Sequence, residues 1–132
     1  MTTHATSTFQ VESWDEQTYT DVGDGRKLTR ASVEQTISGD IEGAGTVEWL
    51  MCYRPDDTAE FVGLQRVDGR LGERSGTFVM RTAGTFDGKE ARGQLTVVPG
   101  SGTGELSDLS GSGEFRAPLG SAASVALDYE VG

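Results

Sequence analysis

The sequence predicts an all-β domain, an eight-stranded antiparallel up-and-down β-barrel spanning residues 1–132. Three observations predict it. Apolar and polar residues alternate with a period of two along most of the chain, the signature of half-buried strands. Nineteen glycines and three prolines punctuate these runs, and no helical period survives beyond a few residues. The connections are nearly all short, so consecutive strands become antiparallel neighbours. An eight-strand meander that closes on itself loses both of its unpaired edges. A two-sheet sandwich is the alternative.

Each strand is read from its alternation and its bounding turn residues. Residues 7–14, "STFQVESW", set Phe9 and Val11 on one face. The separator "GDGRK" leads to 28–42, "LTRASVEQTISGDIE", whose inward face is Ala31, Val33, Gln35, Ile37 and Ile41. "GAG" is the expected turn into 45–54, with Val47, Trp49, Met51 and Tyr53 on the same face. After "PDD", residues 59–71 offer Phe61, Gln65, Val67 and Leu71. The other face of that strand (Glu60, Val62, Leu64, Arg66, Asp68) is also half apolar, which leaves its inward side open.

Residues 75–86 carry Phe78, Met80, Thr82 and Phe86, and "FDGKE" then reads as a tight hairpin because Asp-Gly suits a type I′ turn. Leu95 and Val97 mark 91–98. The long separator "PGSGTGELSD" precedes 109–117 with Leu109 and Phe115, and "PLGSA" precedes 122–131 with Val125, Leu127 and Tyr129. Glycines inside strands, such as Gly63, Gly84, Gly93 and Gly111, fit bulges and barrel corners.

Composition excludes several function classes. The net charge is −10, from 21 acidic and 11 basic residues, and such a surface repels nucleic acid. No apolar run approaches the ~20 residues of a membrane helix. Cys52 is the single cysteine, which fits a reducing compartment. The start shows no signal-peptide pattern, so a cytoplasmic location is expected. "PGSGTGELSDLSGSGE" is not a phosphate loop, since no lysine follows and no βαβ unit surrounds it. The single histidine, His4, falls in a segment read as a tail, so neither a metal site nor a cofactor is expected.

"SWDE" at 13–16, "LTRASVEQTISGDIEG" at 28–43, "YRPDDTAEFVGLQRVDGRLGERSGTFV" at 53–79 and "LTVVPGSGTGELSDLSGSGEF" at 95–115 resemble a bacterial family catalogued as domain of unknown function 3224. The resemblance covers essentially the whole chain. It implies an eight-stranded barrel like that of allene oxide cyclase, with no established activity. The better-known relatives of that barrel are cyclases and dirigent-type proteins acting on small, mostly apolar molecules.

In a barrel the apolar face points inward, and Gln35, Gln65 and Thr82 become polar points inside it. Two readings stand. The glutamines satisfy each other or water, or they orient a ligand in an apolar lumen. The candidate ligand-binding set is Gln35, Trp49, Met51, Tyr53, Gln65, Phe78, Met80 and Tyr129, with Trp14 outside it. No carboxylate falls on the inward face in this phase. The expected function is binding of a small, partly apolar molecule. The alternatives are an isomerase or cyclase acting in the lumen, and an interaction module with a solid barrel. An outer apolar stripe at Leu50, Cys52, Val62 and Leu64 is the expected contact of a homodimer or higher homo-oligomer.

Overall fold

The computed structural model describes residues 2–131. Eight strands, β1 (Thr3–Gly23), β2 (Arg26–Gly39), β3 (Ile41–Tyr53), β4 (Ala59–Leu71), β5 (Arg74–Phe86), β6 (Glu90–Val97), β7 (Leu109–Pro118) and β8 (Ala123–Val131), pair in sequence order into a closed antiparallel barrel. There is no α-helix among the described residues, and none is long and apolar enough to cross a membrane. The predicted inward face is the buried one: Phe9, Val33, Ile37, Val47, Phe78, Leu95 and Leu127 are almost fully enclosed. β4 turns Phe61, Gln65, Val67 and Leu71 inward and Glu60, Val62 and Leu64 out, which resolves its ambiguous pattern.

The structure departs from the sequence reading in several places. β1 runs on to Gly23 through "DEQTYTDVG", which lacks an apolar face and pairs only with β2. β1 meets β8 over Thr3–Phe9 alone. The β2–β3 turn lies at Asp40, three residues before the "GAG" that begins at Gly43. There Gly39 has φ of +114°, and the Asp40 carboxylate accepts the Thr6 N–H. "FDGKE" does make a hairpin, but Asp87 keeps a negative φ and its carboxylate accepts the Lys89 and Glu90 N–H groups. The result is a three-residue, side-chain-capped loop in place of a type I′ turn. His4 lies within β1, its Nδ1 2.7 Å from the Asp128 carboxylate at the surface.

Gly63 shows why glycine recurs inside these strands. It stands directly opposite Trp49, where an added Cβ would lie 2.5 Å from the indole Cε3 and 2.4 Å from the Glu48 carbonyl oxygen. The missing side chain gives the indole its place on the neighbouring strand. Gly84 opposite Phe61 and Gly93 opposite Phe115 repeat the pairing.

"PGSGTGELSD" forms a capping loop around a short 3-10 turn at Gly104–Leu106. Thr103 Oγ1 accepts the Thr77 N–H, and Leu106 is fully buried. This loop closes the barrel end at which β3 starts and β4 finishes, where Ile41 and Leu71 also fill the interior.

Candidate functional site

The inward residues divide into two halves. At the end capped by Leu106 the barrel is solid. At the other end they surround a cavity of about 330 Å³. Phe9, Trp49, Phe61, Phe86 and Phe115 wall it, and Ala91, Ala117 and Ala123 are too small to fill it. Trp49, Phe61 and Phe115 form a ring cluster, with Trp49 and Phe61 edge to face at 5.0 Å. Such contacts hold the wall in one geometry.

Of the residues singled out in the sequence, the structure brings Gln35, Trp49, Met51, Tyr53 and Gln65 together on this cavity. Phe78 and Met80 are fully buried but do not line it. Tyr129 lies toward the solid end, its hydroxyl close to Gly72. Trp14, which the sequence reading left out, stands at the rim beside Val11 and the β7–β8 connection at Pro118–Ser121.

The two glutamines do not satisfy each other. Gln65 Nε2 donates to Thr82 Oγ1 at 3.4 Å. Gln35 Oε1 and Gln65 Oε1 are buried without a hydrogen-bond partner. Each is an acceptor removed from water, a costly state.

One carboxylate reaches the mouth, contrary to the expectation that none faces inward. A β-bulge between Val11 and Ser13 shifts the register of β1 by one residue. Phe9 and Val11 face inward before it, and Trp14 and Glu16 after it, opposite inward Val33 and Ala31. Glu16 accepts hydrogen bonds from Thr29 Oγ1 at 2.7 Å, the Tyr53 hydroxyl at 2.7 Å and Trp14 Nε1 at 3.0 Å. Partial burial raises its pKa, but the three donors and Lys27 outweigh that and hold it below the ordinary 4.5. The Tyr53 hydroxyl is pushed up by burial and by Glu16, so it stays protonated. Lys27 also stands 4.9 Å above the Tyr53 ring.

This arrangement orients; it is poorly suited to proton transfer. A general base works best with a pKa near the working pH and a free lone pair toward substrate. Glu16 is a weak base already occupied by three donors. A depressed folded-state pKa stabilises the fold fully above the unfolded value, and the effect is lost as pH falls through the folded one. Glu16→Gln is therefore expected to melt below the parent at neutral pH, with the gap closing in acid. Thermal melts across pH check this, and a gap independent of pH would contradict it.

Elsewhere, the outer stripe of Leu50, Val62 and Leu64 is exposed on β3 and β4, with Cys52 beside it. A wider groove on the wall of β1, β2, β6, β7 and β8, with Arg92, Gln94, Glu114 and Arg116 along it, is open to solvent.

The chain belongs to a protein family of unknown function (DUF3224), whose model matches residues 5–129. Its fold is also that of a DUF3224-family protein of unknown function from Shewanella oneidensis MR-1. The TM-score is 0.78 at 24% identity, covering 100% of this chain and 99% of that one. Among curated proteins, none matches.

Proposed function

We propose, taking membership of a family without an assigned activity as the premise, that this chain binds a small, uncharged, largely apolar molecule in the hollow end of its barrel. The observation that carries the reading is the aromatic-walled cavity of about 330 Å³. That volume lies within the range of roughly 300–1,000 Å³ typical of ligand pockets, which combine apolar walls with a few polar groups. Aromatic walls bury a large apolar area without many rotatable bonds, so holding a ligand there costs little side-chain entropy. An ionised Glu16 at the mouth and a net charge of −10 disfavour anions. The commitment of Glu16 to Thr29, Tyr53 and Trp14 favours binding over an isomerase-type reaction.

Tryptophan emission tests this. The chain has two tryptophans, and both border the cavity. In Trp14→Phe protein, Trp49 is the single emitter, and its emission is expected to change saturably on titration with camphor, a compact apolar ketone. Trp49→Phe removes most of the parent protein's response. A strictly linear change with camphor, as collisional quenching gives, would sink the proposal.

A further inference from the structure

We infer that the ligand held in the lumen presents a hydrogen-bond acceptor, a neutral carbonyl or ether oxygen that takes the indole N–H of Trp49. The inference rests on the lumen reading above and adds the chemistry of the ligand's polar end.

It follows from which polar atoms of the wall are both open and unmatched. Gln35 Oε1 and Gln65 Oε1 are sealed off from the cavity, and Gln65 Nε2 is turned to Thr82. The Tyr53 hydroxyl and the Trp14 indole N–H both donate to Glu16. Two side-chain nitrogens are left on the wall, Trp49 Nε1 and Gln35 Nε2. Neither has an acceptor among the described residues, and neither is sealed off as the oxygens are. Both are donors, and the indole N–H can be nothing else. Trp49 is 7% exposed, and an indole so enclosed ordinarily finds a partner for its N–H. Here that partner has to come from what fills the cavity. Gln35 stands opposite Gly45 and Trp49 opposite Ala31, so the second donor lies four residues deeper in the barrel.

The indole is held ready for it. Phe61 and Phe115 pack against the ring at 5.0 and 6.3 Å between centroids, and Gly63 leaves it the room that a Cβ 2.5 Å from Cε3 would take. A ligand therefore does not have to order the donor on arrival. A hydrocarbon that displaces solvent from the N–H leaves it unpaired, whereas an acceptor oxygen replaces the lost bond. Sites built to hydrogen-bond a ligand reject analogues that lack the matching group far better than apolar pockets reject an extra methylene.

Two probes of nearly one shape, camphor (carbonyl) and bornane (none), test this by calorimetry on the unmodified protein. A carbonyl buried without a donor loses affinity against the hydrocarbon, so the sign of the difference decides. Camphor is expected to bind roughly tenfold more tightly than bornane, the scale of one buried hydrogen bond. Equal affinity, or a preference for bornane, overturns the inference while leaving the lumen reading standing. Failure of both to bind overturns the lumen reading itself. In a proton–nitrogen correlation spectrum, where Trp14→Phe identifies the Trp49 indole peak, camphor is expected to move that N–H proton downfield further than bornane does. Equal displacement by the two probes would overturn the assignment to Trp49. Trp49→Phe keeps an aromatic ring and removes the donor, so it is expected to abolish the camphor advantage while its binding of bornane reports an intact lumen. A camphor advantage that survives in this variant counts against the inference. The order of the probes and the indole peak decide the matter even if that variant fails to fold.

Discussion

Phe78→Ala is expected to destabilise the barrel by about 3–5 kcal/mol, the range for deleting a buried aromatic ring. Phe78 is 1% exposed, paired with Val67 of β4, and absent from the cavity wall. Its removal therefore opens a new void in the solid half, where the fixed register of neighbouring strands limits collapse. A ring already facing the hollow end would lose contacts on one side only and cost less. Urea denaturation of the two proteins measures the difference, and a loss below ~1 kcal/mol would contradict the packing described.

Gly63→Ala is expected to destabilise by about 1–3 kcal/mol or more, the cost of overpacking. Glycine-to-alanine changes at compatible positions do the reverse, stabilising by about 0.4–1 kcal/mol through the unfolded state. The sign is decided by distance. The new methyl group would sit 2.4 Å from the Glu48 carbonyl oxygen and 2.5 Å from the Trp49 ring. The ring cannot move far, because Phe61 and Phe115 pack against it. Loss of stability together with a shift in Trp49 emission is the expected pair of results, and a stabilised protein would refute this account.

The barrel was legible because alternation, short turns and inward-facing sets agree from β2 to β8. Gln35, Trp49, Met51, Tyr53 and Gln65 were legible for the same reason: each follows from the phase of one strand. Glu16 was not. The bulge at Val11–Ser13 reverses the faces of β1, and an extra unpaired residue leaves no mark in composition or period. The division into solid and hollow halves was hidden as well, since both are lined by apolar residues. What separates them is size and a plug. Ala91, Ala117 and Ala123 leave room at one end, while Leu106, carried on a loop read only as a separator, fills the other. Phe78, Met80 and Tyr129 were included because a period of two reports the inward direction and says nothing of depth along the barrel.

The order of the strands also bears on how the chain reaches this state. Seven of the eight pairings join consecutive strands and can zip hairpin by hairpin. The eighth, β1 with β8, matches residues such as Ala5 and Leu127 from opposite ends of the chain. Its loop-closure entropy must be met before its hydrogen bonds give anything back. The seam between β1 and β8 is therefore expected to form last. Until it forms, both strands are exposed edges, and the time spent in that open state sets how long the chain is vulnerable to pairing with another.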